Sequence, residues 1–444
     1  MKNRIFALSL IFLFSYCKDT APKSDDVEIA SLYLPDLDLL YPDYESVDST
    51  KAYAKLANKL IRENRDLQSS QMYIDAAWFY NKAGYTDSVV IMLHKAIDRG
   101  MANPKILQKF SSLDNIPNTP IWNRLETRLD SIQQELQDIS HFSLEMESMI
   151  QFWDYFDRAI EDTSQAKEVF KEYIFRGPIE IRDFYFARYE NPSNMYGQMI
   201  NGTPGYYEYL KNYLHPDSLT VLNTKTTSWM RNFKSHYPQA VFPKVFIVPG
   251  ILNTGGTTTE MGMFVGGDMY GRSHNMPTEG LTDWQKGAIM KFSDLPGLTM
   301  HELMHFQQSY SDPVHDESVL MSIVGEGVCD FLVELSSGKP LMNSNLSYLK
   351  DSDNREFILN DLRGDLFSTD NSKWLYNGGS IEDRPHDLGY TLGYLITKSY
   401  YQNQINKKEA IYELLNTDDV VSILKGSDYA FLLEPVNTTN ELTK

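Results

Sequence analysis

Residues 298–310 read LTMHELMHFQQSY, and no other stretch constrains the fold of the chain as tightly. In a helix of 3.6 residues per turn, His301 and His305 stand one above the other on a single face. Two imidazoles so placed can chelate one metal ion. Glu302 is turned about 100° away from His301, beside the metal rather than on it. A carboxylate there is positioned to take a proton from water activated at the metal. Imidazole and carboxylate donors in a tetrahedral site suit zinc, Zn2+. The plain alternative is an ordinary helix that happens to carry two histidines, with Leu298, Met300, Leu303, Met304 and Phe306 as its apolar surface.

A zinc site needs a third protein ligand. One subclass extends the motif with Gly and a third His, but Gln308 and Ser311 occupy those positions and exclude it. His315 follows Pro313 and reads as a loop residue. Glu326, in SIVGEGVCDFLVELSSG, is the better candidate. The twenty residues between it and His305 leave room for a turn and an antiparallel second helix over 316–337. Gly325 and Gly327 flank Glu326, and each costs a helix about 1 kcal/mol relative to Ala. Close approach of this helix to the metal-bearing one is a physical reason to tolerate them. Asp330 lies one turn further on the same face, where it can accept the N–H of a ligating histidine. Glu334, a further step along, reads as a helix-face residue.

At HELMH (301–305) and GEGVCD (325–330) the sequence resembles the gluzincin superfamily of zinc metallopeptidases. The resemblance implies His301, His305 and Glu326 on zinc, Glu302 as general base and Asp330 supporting a ligand ring. More loosely, residues 145–430 resemble exported bacterial domains described as predicted zinc-dependent proteases. Gluzincins stabilise the oxyanion with a His or Tyr from the region after the zinc helices. The matching stretch here is EDRPHDLGYTLGYLITKSYY, which offers His386 or Tyr390, with Arg384 and Tyr394 as neighbours. Tyr390 and Tyr394 share a helix face and read equally well as core. The strand MGMFVGG, upstream of His301, is a candidate for pairing with an extended peptide, or an ordinary hairpin strand. The N-terminus-reading motif of gluzincin aminopeptidases is missing, which favours an endopeptidase.

The chain has 444 residues and a net charge of −19. So acidic a protein is a poor fit to nucleic acid, whose phosphates need a Lys/Arg surface. Its 28 Tyr and 22 Phe imply either a large core or an aromatic-walled groove for a polymer. The start, MKNRIFALSLIFLFSYC, has a basic head and an apolar run too short to span a bilayer. It resembles a bacterial lipoprotein signal with Cys17 as the lipidated cysteine, although Tyr16 stands where such signals carry a small residue. The charged tether after Cys17 is similar to those of surface lipoproteins of the Bacteroidetes. The resemblance implies a lipid-anchored envelope protein, with cleavage to a soluble form as the alternative. Cys17 and Cys329 sit in unlike contexts, so no disulfide is expected.

Four segments are expected: a signal over 1–17, a flexible tether over 18–48, a helical domain over 49–135 and the metallopeptidase domain over 136–444. In the helical domain, Ala76, Tyr80, Ala83, Gly84 and Ala96 resemble the small-residue pattern of tetratricopeptide helix pairs. About one and a half units are legible, too few for a solenoid. This domain serves either packing or contact with an envelope partner. Helices are expected over 143–175 and, broken at Pro192 and Pro204, beyond it. PKVFIVPG and a segment centred on Met263–Val265 read as strands of a small sheet. The fold class is therefore α+β, mainly helical and zincin-like. The expected activity is zinc-dependent hydrolysis of a peptide or protein substrate. Two rivals remain: a zinc-containing binding lipoprotein without catalysis, and a degenerate zincin without metal.

Overall fold

The computed structural model describes residues 28–37, 40, 49–110, 119–341, 343–378, 381–382 and 384–434. Cys17, the signal segment and most of the expected tether lie outside them. No helix among the described residues is long and apolar enough to cross a membrane. Residues 28–37 fall within the stretch expected as tether, yet they lie on the folded body. The Tyr33 amide donates to Asp66 Oδ2 at 2.8 Å, and Tyr185 donates to the Pro35 carbonyl at 2.8 Å.

The N-terminal helices arise from clear local signals. Ser49 caps α1 (Thr50–Glu63), its hydroxyl accepting from the Ala52 amide. The turn between α2 (Ser70–Lys82) and α3 (Thr86–Asp98) uses Gly84 at φ +74°, a left-handed conformation natural to glycine. Ala57, Ala76, Ala77 and Ala96 are fully buried, so the helices pack backbone close to backbone. Pro120 opens α4 (Pro120–Gln137). The apolar core continues without a break from Ala57 and Phe79 to Leu303 and Leu424, joining these helices to everything that follows.

The sheet has four strands: β1 (Leu144–Glu145), β2 (Val245–Val248), β3 (Thr257–Thr259) and β4 (Gly262–Gly266). Their spatial order is β1-β2-β4-β3. β2 runs parallel to β1 and β4, while β3 is antiparallel to β4 and lies at the edge. Both expected strands form and pair. β1 falls inside the stretch expected to be helical, and at two residues it is too short to show a period. α5 (Glu147–Glu161) follows it directly. The helices break just before Pro192 and Pro204 as expected, and each proline opens the next one, because Pro in the first turn forfeits no intrahelical hydrogen bond. The aromatic wealth goes to the interior: Tyr173, Tyr185, Tyr189, Tyr206, Tyr207 and Tyr270 are almost wholly buried.

α6 (Asp217–His236) packs on both α7 (Leu295–Gln307) and α8 (Val319–Ser337). α7 carries HELMH and lies between the sheet and α8, and α8 is clasped on its other side by α9 (Leu388–Asn403). The glycines decide how deep α8 sits. A Cβ on Gly393 would stand 1.6 Å from the Ile323 oxygen, and one on Gly327 would stand 1.9 Å from the Gly393 carbonyl carbon. The close approach that Gly327 permits is therefore to α9, not to α7 as expected from sequence. At Gly325 the nearest atom to an added Cβ is Tyr310 Cε2, at 3.6 Å.

Gly393→Ala has no room for its methyl group and must push α9 off α8. Overpacking of this kind typically costs about 1–3 kcal/mol, and chemical denaturation is expected to read a loss at or above that range. A stability equal to the parent protein would contradict the packing described.

Candidate metal centre and active site

α7 and α8 bring four of the sequence-marked groups together. The Nε2 atoms of His301 and His305 are 3.2 Å apart, and they lie 3.1 and 3.2 Å from Glu326 Oε2. The other nitrogen of each ring is committed elsewhere. His301 Nδ1 is 2.9 Å from Asp330 Oδ1, and His305 Nδ1 is 2.9 Å from Gln308 Oε1. The Gln308 amide can turn only one way. Its Nε2 donates to the Gly325 carbonyl at 2.8 Å and to the Tyr310 hydroxyl at 3.0 Å, so its oxygen faces the histidine. This network puts the ring protons on Nδ1 and turns both Nε2 lone pairs inward.

Two imidazole lone pairs and a carboxylate oxygen in mutual contact repel one another unless a cation sits among them. Tetrahedral zinc with bonds of about 2.0–2.1 Å sets its ligand atoms about 3.3 Å apart. The spacing found here is close to that, and the donor set fits zinc. In the metal-free protein a proton takes over the same task. Burial resists charge on His301, but Asp330 and Glu326 outweigh it and raise its pKa to about 10. Burial likewise resists charge on Glu326, and the two histidines outweigh it and hold the carboxyl far below the usual range.

Cys329 is a neighbour that invites a different ligand set. Ligand atoms of His301, His305 and Cys329 lie within 4.8 Å of one another. Its sulfur, however, is 3.4 Å from Nδ1 of His305, the nitrogen turned away from Glu326, and it donates to the Gly325 carbonyl. Burial pushes the thiol up to about 11, and the sulfur lies on the side of the His305 ring away from the two Nε2 atoms. The Nε2–Nε2–Oε2 triangle is the better fit.

Glu302 leaves α7 on the side of the edge strand. Thr258 of β3 donates to its Oε2 at 3.2 Å. Gly256 keeps space open beside it, since a Cβ there would lie 3.0 Å from Glu302 Oε1 and 2.8 Å from Leu298. A cleft of about 390 Å³ runs from His305 and Phe306 along β3 to the N-terminal helical region. Lys105 ties that region to α7, donating to the Gln307 carbonyl at 3.0 Å, where a cation suits a helix C-terminus.

The region after α8 differs from expectation in which side chain it offers. Tyr376 donates to Glu326 Oε1 at 2.6 Å, leaving Oε2 to the histidines. Tyr390 is hydrogen-bonded to Tyr376, and its ring centroid is 6.3 Å from that of His301. His386 is exposed, at the far end of the same loop, where its carbonyl accepts from Asn345. Tyr394 instead meets Glu334 and Lys398, and Arg384 pairs with Asp361. Tyr376 has φ +57°, a left-handed conformation that costs a non-glycine residue about 1–2 kcal/mol. The loop is clasped by Asn377 and Asp387, each side chain accepting from the other's amide at 2.9–3.0 Å. Tyr376 carries no spacing signal toward the motif, whereas Gln308 stands three residues after His305, within one helical turn. The Asn-Gly-Gly after Tyr376 marks only a turn.

Residues 285–421 match the model of a family described as "Predicted Zn-dependent protease (DUF2268)", which supports placing this region with a zinc protease family. The match covers less than half of the chain but includes both α7 and α8. No curated protein and no solved structure matches the chain.

Protons and zinc compete for the same lone pairs. Apparent zinc affinity, read against a competing chelator, is expected to strengthen as pH rises from 6.5 toward 10, the ordinary and raised values for His301. A flat profile would argue against this triangle as the binding site. Asp330→Asn is expected to weaken zinc binding by roughly 10–100-fold, since it loses the charge that holds the His301 proton on Nδ1.

Proposed function

We propose that this protein is a zinc-dependent endopeptidase, held on the bacterial envelope by lipid on Cys17. The observation that carries the catalytic reading is the convergence of His301 Nε2, His305 Nε2 and Glu326 Oε2 on one point, with His305 lining an open cleft and Glu302 bonded to Thr258 of the cleft wall. The envelope location rests on the sequence of residues 1–17 alone.

His301, His305 and Glu326 would hold the zinc. Bound there, zinc supplies a Lewis acid that polarises the scissile carbonyl and lowers the pKa of water. Glu302 accepts the proton of the attacking water and returns it to the leaving amine. Thr258 steadies one oxygen of that carboxylate and so ties the base to the strand beside the substrate. Asp330 and Gln308 keep the histidine rings turned.

The oxyanion needs a donor that keeps its proton at neutral pH. Burial, then the Glu326 carboxylate, raise the phenols of both Tyr376 and Tyr390. Tyr376 is our first choice, Tyr390 the second, and the exposed His386 the third. Tyr376 already reaches the ligand carboxylate, and the residue is 70% exposed, so a substrate can approach it. The substrate backbone pairs with β3, the edge strand, rather than with MGMFVGG. That segment is largely β4, which is flanked by β2 and β3.

Glu302→Gln is expected to keep stoichiometric zinc and lose hydrolysis of a peptide library. Purified protein without stoichiometric zinc would sink the enzyme reading. Zinc retained alongside unchanged cellular function in Glu302→Gln would favour a binding role. Tyr376→Phe is expected to lower kcat by roughly 10²–10³-fold at unchanged zinc content, the usual effect of removing one oxyanion donor. A larger loss for His386→Ala than for Tyr376→Phe would reverse our ranking.

A further inference from the structure

Ion pairs and hydrogen bonds inside the cleft leave one charged side chain with an unmet donor among the described residues. Glu260, at the end of β3, is engaged by Lys109 and Asn103 of the N-terminal region. Asp183 turns its carboxylate to the Ser69 hydroxyl and the Gln71 amide. Arg188 remains. Its guanidinium donates to Thr257 Oγ1 at 2.9 Å, while Glu302 and Glu190 act on it only through space. Its buried Nε has no hydrogen-bond partner among the described residues. A half-buried guanidinium with donors to spare is costly unless something completes it.

The mounting of Arg188 is rigid. It lies in a π-helical turn, Tyr185–Tyr189, a geometry found disproportionately at functional sites. Tyr185 anchors one end on the Pro35 carbonyl and Tyr189 the other on the Pro249 carbonyl, and the Arg188 carbonyl accepts from Asn253 at 3.2 Å. Side chains alternate along a strand, so Thr258 faces Glu302 and α7 while Thr257 faces the opposite side, where Arg188 waits. An extended substrate paired to β3 alternates in the same way, and every second side chain meets the Arg188 face.

Resting on the hydrolase reading above, we infer that Arg188 selects substrates by receiving a carboxylate in this cleft, so that the preferred substrates are acidic peptides. The guanidinium fork matches a carboxylate in a two-point contact that an amide cannot replace at equal strength. The carboxylate comes either from an Asp or Glu side chain or from a free C-terminus.

The test uses the zinc-loaded full chain and a quenched fluorescent peptide set in which Asp/Glu, Asn/Gln and Lys are walked through each position. Each peptide is made with a free and with an amidated C-terminus. The parent protein is expected to favour the acid over its amide isostere at one position by roughly 10–100-fold in kcat/KM, mostly through KM, as a desolvated charge-assisted contact provides. Arg188→Gln is expected to bring that ratio near one, Arg188→Lys to retain part of it, and Arg188→Glu to invert it in favour of Lys. A preference lost on C-terminal amidation alone assigns the site to a free C-terminus. A parent protein blind to acid versus amide at every position overturns the inference, as does an Arg188→Gln variant that keeps the preference. If no peptide is cleaved, the hydrolase reading fails, and binding of the same acid and amide peptides to parent and Arg188→Gln then decides the inference by the same ratios.

Discussion

Two histidine nitrogens and a carboxylate oxygen, each about 3.1–3.2 Å from the others, form an arrangement that must be neutralised from within. Left to themselves these atoms would separate, so the surrounding structure is organised to hold them in place. Asp330 and Gln308 fix the rings from behind. The depth of α8 is set by backbone contact with α9 at Gly327 and Gly393, where side chains would not fit. α7 is anchored at its C-terminal end by Lys105 and by Gln307, whose amide both donates to and accepts from Val241. The metal triangle is thus a property of three helices and a loop, not of the motif helix alone.

The N-terminal helices belong to the same construction. They share the core with the rest of the chain and reach the cleft through Gln71, Asn103 and Lys109. The Ala102 amide also donates to the Glu260 carbonyl at 2.7 Å, just past β3. A unit that resembles a partner-binding repeat in sequence is, in three dimensions, one wall of the candidate active site. Displacing it would open the end of the cleft and loosen β3, and through Thr258 this would disturb Glu302.

Backbone strain is found beside Glu326. Tyr376 takes a left-handed backbone conformation, and the loop that carries it is held by reciprocal contacts of Asn377 and Asp387. The hydrogen bond from Tyr376 to Glu326 offsets part of that cost in the resting state. It also keeps the phenol hydroxyl on the carboxylate that meets both histidines.

The sequence by itself determined the local part of this protein. Helical periodicity stacks His301 on His305 and turns Glu302 aside, and the same period places Asp330 one turn after Glu326. Ser49, Gly84 and Ser318 mark helix boundaries through hydrogen bonds and backbone conformations that involve only near neighbours. Everything that depends on which elements meet was settled only by tertiary packing. Gly327 serves α9 rather than α7, because contact partners are not written in helix spacing. β3, a run of three threonines, became the edge beside the motif because β4 was already paired on its other side. Tyr376 rather than His386 is the side chain that meets Glu326, and Arg188 reaches the cleft from more than a hundred residues before the motif, since chain distance places no limit on which side chains a folded core brings together.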